Sequence, residues 1–153
     1  MDLSTGGNLK EIRKMILEGD VKKATVHLGR PYMIKGMVIP GDGRGRTIGF
    51  PTINLKTDFP LIPKRGVYVS SVEIDGKKFP AVTNIGYNPT FDGQNLTIET
   101  YILDFAQDLY GRELALYFSD RIRDEVKFGS VDELKERIRM DVETARKYFN
   151  KSH

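Results

Sequence analysis

Cysteine and tryptophan are absent from the 153 residues, and histidine occurs only twice. Without cysteine there is no disulfide scaffold, no thiolate metal site and no cysteine nucleophile, a composition typical of a cytoplasmic protein. Two histidines argue against a multi-histidine zinc site. Residues 1–5 have neither a basic start nor an apolar run, so no signal peptide is predicted. No apolar run approaches the roughly 18 residues of a membrane span.

Charge is nearly balanced, with 24 basic and 21 acidic residues. A net charge of +3 is equally compatible with binding of a nucleic acid and of a small anionic ligand, so it does not distinguish between these two functions. Hydrophobic residues make up 39% and charged residues 29%, as in soluble globular proteins. The length is that of one domain, typically about 100–200 residues.

Helical patterns occur at both ends of the chain. Residues 9–28 have apolar residues at helical spacing, interrupted at Gly19 and Asp20, with Asn8 as a possible N-cap. Residues 130–150 carry an apolar stripe behind a capping box formed by Ser130 and Glu133. We therefore expect two short helices before, and one longer helix after, the central region.

The central region contains short β-branched and aromatic runs between turn residues. The predicted strands are 32–39, 66–74, 78–85, 96–103 and 114–118. Asp75 and Gly76 predict a two-residue hairpin turn. Several short strands without intervening helices indicate a sandwich or a small closed barrel, with the last helix packed on it.

The most unusual segment is residues 41–54, where glycines free the backbone to approach a phosphate and arginines offer forked donors. The candidate phosphate-binding residues are Gly41, Gly43, Arg44, Gly45, Arg46, Gly49 and Pro51. A flexible, solvated hairpin loop explains the same residues about as well, because glycine-rich loops are weak motifs. No Gly-Lys-Ser/Thr sequence ends the segment, so it is not a Walker A loop.

Thr52 and Asn54 are two residues apart in an extended segment, so their side chains point the same way. A hydroxyl and an amide oxygen on one face can hold a hard cation such as Mg²⁺, whose other ligands come from phosphates and water. The alternative is a strand threonine followed by a turn-capping asparagine.

Glu99 lies in a strand-like run, where a carboxylate is unusual. Alternation places it on one face with Thr97 and Tyr101. In the mouth of a barrel it would be a suitable general base for a hydroxyl group. A solvent-facing strand glutamate is the simpler alternative.

Two further segments are less decisive. Residues 84–91 are predicted as a turn-rich loop that either approaches a ligand or connects strands. Arg121, Arg123, Lys127 and Phe128 precede the last helix and suit an anion or an aromatic ring, although charges there are usually solvated.

Taken together, these motifs resemble riboflavin kinase, and more closely the C-terminal kinase module of the bacterial bifunctional FAD synthetase. The resemblance covers about residues 29–149, and its most specific part is Gly49-Phe50-Pro51-Thr52-x-Asn54. The other blocks follow in order: Gly66-Val67-Tyr68, Asn84-Ile85-Gly86, Pro89-Thr90-Phe91, Glu99, Asp104-Phe105, Asp108-Leu109-Tyr110-Gly111 and Arg123-x-Glu125-x-Lys127-Phe128.

The resemblance implies a six-stranded Greek-key barrel and transfer of the ATP γ-phosphoryl group to the 5′-hydroxyl of riboflavin, which gives FMN. It implies that Thr52 and Asn54 hold Mg²⁺ bound to the nucleotide, that residues 41–46 cover the phosphates, and that Glu99 is the base. The residues that it places near the flavin are Tyr101, Arg123, Phe128, Val131 and Leu134.

The histidine motif of the FMN adenylyltransferase domain is missing here, so the chain resembles a separated kinase module that makes no FAD. Residues 1–28 are interpreted as a helical remnant of the join to that domain, and residues 29–150 as the kinase domain. A catalytically silent flavin-binding regulator would lack Glu99, Thr52 or Asn54, which are all present. A nucleic-acid-binding barrel would place stacking aromatic residues along an open groove.

Overall fold

The computed structural model describes residues 9–40, 49–90 and 93–151. Its strands are β1 (Tyr32–Ile39), β2 (Ile53–Lys56), β3 (Gly66–Ile74), β4 (Lys77–Thr90), β5 (Gly93–Ile102) and β6 (Glu113–Arg123). Its helices are α1 (Leu9–Leu17), α2 (Val21–Leu28) and α3 (Val131–Lys151).

The six strands form a closed antiparallel barrel in the order β1-β2-β5-β4-β3-β6. Because β2 pairs with β5 and β6 pairs with β1, neighbours in the barrel are not always neighbours in the chain, as in a Greek key. The predicted class, mainly β with a C-terminal helix and a short helical start, is confirmed. Of the two architectures left open by the strand pattern, the closed barrel is the one formed.

Most predicted elements occur near their predicted positions. Between β3 and β4, Asp75 (φ 53°) and Gly76 (φ 82°) both adopt the left-handed conformation that a two-residue hairpin turn requires. The loop predicted at residues 84–91 is wrong up to Thr90, because β4 continues to that residue. Gly86 and Pro89 lower strand propensity, but β5 supplies pairing partners along the whole stretch.

One row of hydroxyl groups lies among the apolar side chains inside the barrel. Ser70 on β3, Thr83 on β4 and Thr100 on β5 are buried. The oxygen of Thr83 lies 2.8 Å from that of Ser70 and 2.9 Å from that of Thr100. The row fixes three neighbouring strands in register from within, since each hydroxyl needs its neighbour as a hydrogen-bond partner.

One outer face of the barrel is covered by α3, which packs on β3 and β4. A second apolar cluster forms there, in which Val67, Val69 and Val82 meet Val142 and Ala145 of the helix. The predicted helix start is confirmed, since Ser130 Oγ accepts a hydrogen bond from the Glu133 amide at 3.2 Å. The Glu133 carboxylate accepts from the Gly129 amide, one residue before the position of a standard capping box.

The helical pair α1 and α2 shares the inner core, to which it contributes Ile16, Val21 and Ala24. Arg121 of β6 also contacts Gly19, in the turn between α1 and α2. Its side chain occupies the space where a Cβ on Gly19 or on Gly66 would lie, and it donates to the Arg65 carbonyl at 2.5 Å. Both glycines also have positive φ values, so the chain needs glycine there for two reasons.

Candidate active site

A single row of paired residues crosses five strands on the outer face of the barrel. Asn54 of β2 pairs with Glu99 of β5, and Glu99 pairs on its other side with Asn84 of β4. Asn84 pairs with Val67 of β3, which pairs with Arg123 of β6. Residues paired in this way point to the same side of a sheet. The register therefore gathers two amides, a carboxylate and a guanidinium that lie far apart in sequence.

The direction of this row follows from alternation. Ile98, Thr100 and Leu55 are buried in the barrel, so their neighbours Glu99 and Asn54 point outward. The expectation that Glu99 lies within the barrel mouth is therefore wrong. It is half-buried on the outer face, because the interior is already filled by the alternate residues of β5.

Thr52 and Asn54 are both half-buried. Asn54 forms one end of the row and pairs with Glu99, and Thr52 precedes it by two residues, just before β2. Their hydroxyl and amide oxygens are hard donors of the kind that Mg²⁺ prefers. Among the described residues, no group of three histidine, cysteine or acidic side chains is placed to hold a metal. The donor set therefore fits a cation that takes most of its ligands from phosphates and water.

The glycine-rich segment is described only in part. Gly49 has a φ of +89° and is exposed, as is Pro51. Gly41, Gly43, Arg44, Gly45 and Arg46 lie outside the described residues, and so does Asn8.

Next to the polar row is an aromatic wall. Tyr101, two residues after Glu99 on the same face, packs edge-to-face on Phe50 with ring centroids 5.5 Å apart. Both rings belong to the apolar cluster beneath α3. The site thus combines a polar row with an apolar border, which suits a ligand with both characters.

Arg123 forms the far end of the row and is held by a carboxylate that the sequence analysis missed. Asp141 of α3 accepts from Arg123 Nε at 3.1 Å and from Nη2 at 2.7 Å, in a bidentate pair. The side chains are 16% and 5% exposed. The available signal was a carboxylate three residues after Ile138 and four residues before Ala145, spacings that place it beside the apolar stripe of the last helix.

The other predicted flavin residues lie beyond this row. The guanidinium of Arg123 is 5.8 Å from the ring centroid of Phe128. Val131 begins α3 and is 61% exposed, and Leu134 is half-buried one turn later. An open groove of about 470 Å³ runs beside them and is lined by Phe128, Asp132, Glu133, Glu136, Arg137 and Met140. Phe128 is the one predicted flavin residue among them, and no residue of the row that contains Glu99 lines this groove.

Two ion pairs shift the pKa values of carboxyl groups around the site. A hydrogen bond from Arg121 lowers the pKa of Asp124, which follows the end of β6. A hydrogen bond from Arg146 of α3 lowers the pKa of Asp104, which follows β5. Both pairs stabilise the ionised carboxylates, and the second ties the C-terminal part of α3 to the barrel.

Comparison with known proteins agrees with this geometry. The Flavokinase family, described as riboflavin kinase, matches residues 28–149. A bifunctional riboflavin kinase/FMN adenylyltransferase of Bacillus subtilis is 44% identical over 144 residues, which are 91% of this chain and 45% of that protein. The corresponding Escherichia coli protein is 42% identical over 141 residues, 90% of this chain and 44% of that protein. The chain thus spans less than half the length of these relatives.

Solved structures show the same architecture. The riboflavin kinase of Trypanosoma brucei has a TM-score of 0.56 and 25% identity, covering 79% of this chain and 81% of its own. A Streptococcus pneumoniae structure described as a macrolide-efflux protein has a TM-score of 0.87 and 46% identity, covering 91% of this chain and 46% of its own. In the described part of this chain, no helix is both long and apolar enough to span a membrane. From the match to residues 28–149 and the curated relatives, we conclude that this chain belongs to the Flavokinase family and contains its riboflavin kinase domain.

Proposed function

We propose that this protein transfers the γ-phosphoryl group of ATP to the 5′-hydroxyl of riboflavin and releases FMN and ADP. The observation that carries the proposal is the direct pairing of Asn54 with Glu99, with Thr52 on the same side of the extended segment. Metal-binding oxygens beside a carboxylate are what phosphoryl transfer to a hydroxyl needs, because that reaction depends mainly on positioning and charge neutralisation.

In this proposal Glu99 accepts the proton of the 5′-hydroxyl as the oxygen attacks the γ-phosphorus. The bond between the γ-phosphorus and the β,γ-bridging oxygen then breaks, and ADP leaves. Glu99 suits this role because it is half-buried on the outer face, where a substrate can reach it. The phosphates are expected to lie toward residues 41–49, which continue directly into Thr52.

Thr52 and Asn54 would hold Mg²⁺ through their side-chain oxygens. When bound, the metal would neutralise charge on the phosphates of ATP. The two side chains would fix the nucleotide at the β2 end of the row, next to the carboxylate that receives the proton. Because they offer only two neutral ligands, we expect metal binding to depend on the nucleotide.

The flavin ring would lie toward Arg123, Phe128, Val131 and Leu134, with Tyr101 bordering it from β5, the strand that carries Glu99. Tyr101 and Arg123 supply the apolar and hydrogen-bonding parts of this wall from the barrel itself. The remaining three would contribute from the connection to α3 and from its first turns.

This chain has no cysteine, which fits the reducing cytoplasm as the place of action. The protein would bind ATP and riboflavin, and we expect it to bind neither a nucleic acid nor a membrane.

The test is a chromatographic assay of the 153-residue chain with riboflavin and Mg-ATP, in which FMN and FAD are resolved. We expect FMN to accumulate with one ADP for each FMN, and no FAD. Quenching of flavin fluorescence without FMN would instead support the silent flavin-binding regulator. Neither quenching nor FMN would overturn the proposed function altogether.

A further inference from the structure

Asn84 occupies the position in the row between Glu99 and the strand pair that ends in Arg123. It pairs directly with Glu99 on one side and with Val67 on the other. Adjacent strands lie about 4.8 Å apart, so the Asn84 side chain emerges one strand spacing from the carboxylate. Asn84 is not among the residues proposed above to bind the metal, accept the proton or contact the flavin ring.

The amide of Asn84 has an unsatisfied acceptor. Its Oδ1 is shielded from water and has no hydrogen-bond partner among the residues that the structure describes. A buried polar atom without a partner destabilises a fold, and most such atoms in proteins are satisfied. The outer-face neighbours Val67 and Val82 cannot satisfy it, because their side chains carry no polar atoms. Because this unsatisfied acceptor lies beside a candidate catalytic carboxylate, we expect a ligand group to form the missing hydrogen bond.

A second acceptor lies near Gly86, two residues after Asn84 on β4. A Cβ at Gly86 would collide with the carboxylate of Glu125, which therefore lies directly over the strand at that point. The hydroxyl of Thr97, which pairs with Gly86, borders the same space at 3.2 Å. Among the described residues, the one ion pair of Glu125 is with Arg65 at 3.7 Å and uses the other carboxylate oxygen. The surface next to Glu99 is thus rich in acceptors, in contrast to the apolar surface beneath α3.

We propose that Asn84 binds an internal hydroxyl group of the polyol chain of the flavin substrate and so sets specificity for a hydroxylated chain. The inference rests on the proposed function, since it requires the reacting hydroxyl at Glu99 and the ring toward Arg123. The carbon chain that joins them must then cross the Asn84 position. The terminal torsion of an asparagine is soft, so the amide can turn to meet a bound hydroxyl. A hydroxyl both donates and accepts, and it satisfies either atom of the amide.

The experiment compares riboflavin with a flavin that carries a 5-hydroxypentyl chain, which keeps the terminal hydroxyl and lacks the three internal ones. Dissociation constants for both are measured by flavin fluorescence with wild type, Asn84→Ala and Asn84→Leu, and kcat/KM is measured with riboflavin. The matched control is Asn150→Ala, at an exposed position on α3. We expect the Asn84 variants to bind riboflavin about 2- to 12-fold more weakly, the range for one hydrogen bond. Their affinity for the hydroxypentyl flavin should stay within about twofold of wild type.

Thermal unfolding separates binding from folding. Removal of an unsatisfied acceptor should leave the midpoint of unfolding unchanged or higher, even as riboflavin affinity falls. Equal weakening for both flavins, or no weakening for either, would overturn the role of Asn84. A wild-type protein that produces FMN while the Asn84 variants retain the full preference for riboflavin would refute this inference alone. A wild-type protein that neither binds riboflavin nor forms FMN would refute the proposed function, and this inference with it.

Discussion

Asn54 and Glu99 are direct partners in the β2–β5 ladder, although 44 positions separate them in the sequence. Their side chains leave the barrel on the same face, which places an amide oxygen beside a carboxylate. Through this pairing, the contact between β2 and β5 brings a candidate metal ligand next to the candidate base. The roles assigned to these residues can be tested one at a time.

Glu99→Gln keeps the size of the side chain and removes its ability to accept a proton. We expect kcat to fall by about two to four orders of magnitude, the usual contribution of a general base, with riboflavin and ATP affinities little changed. Glu113→Gln, at an exposed position at the start of β6, is the matched control. Steady-state rates together with flavin fluorescence titrations provide the check. Near wild-type turnover in Glu99→Gln would remove it from the mechanism.

Thr52→Ala and Asn54→Ala each remove one proposed oxygen ligand of the metal. We expect each variant to need more Mg²⁺ for half-maximal activity and to bind the metal–nucleotide complex more weakly, because each oxygen contributes to the same cation. Rates measured over a Mg²⁺ titration at fixed ATP give the comparison, with Asn150→Ala as the control. An unchanged metal titration in both variants would show that these side chains do not hold the cation.

Asp141→Ala leaves the Arg123 guanidinium without its bidentate partner in a largely buried position. We expect the free energy of unfolding to fall by about 3–5 kcal/mol, as when one member of a buried ion pair is removed. The double variant Arg123→Met/Asp141→Leu removes both charges and should lose less stability than Asp141→Ala. Urea unfolding of the three proteins measures this. A double variant less stable than Asp141→Ala would contradict the account.

Thr83→Val preserves the shape of the side chain and removes the central hydroxyl of the Ser70–Thr83–Thr100 row. The loss of this hydroxyl leaves two buried hydroxyls without their shared partner, so we expect a cost of about 1–3 kcal/mol. Thr144→Val, on the exposed face of α3, serves as the control. If chemical unfolding finds both variants equal to wild type, the row does not contribute to stability.

The Asp104–Arg146 pair predicts a loss of stability in acid. Arg146 lowers the pKa of Asp104 below its ordinary value of 3.8. A lowered folded-state pKa contributes stability above the unfolded value, and this contribution disappears as the pH falls through the folded value. Asp104→Asn tolerates the positive φ of 56° and removes the titrating group.

Unfolding free energies of both proteins are compared from neutral pH to about pH 2. The difference between wild type and Asp104→Asn should be largest near neutral pH and shrink below 3.8. A difference that stays constant over this range would show that the pair makes no pH-dependent contribution.

Local patterns were sufficient for the elements whose signals are short in range. The Asp75-Gly76 turn, the Ser130 N-cap and the break at Gly19 each depend on a few neighbouring residues, and each was predicted from them. The strand character of residues 86–90 was missed, because glycine and proline weaken the local signal and pairing with β5 compensates for it. The four-residue β2 was not predicted as a strand for a similar reason, since its partners come from β1 and β5.

For this protein, the sequence alone determined the residue types of the candidate site and the class of the fold. Thr52, Asn54 and Glu99 could be chosen because their chemistry and spacing are visible in the chain. The tertiary structure decided that Glu99 faces outward, that Asp141 holds Arg123, and that Asn84 lies beside the carboxylate. The physical reason is that alternation fixes only which residues share a face. Closure of the barrel and the packing of α3 decide which face is inside and which residues meet across the strands.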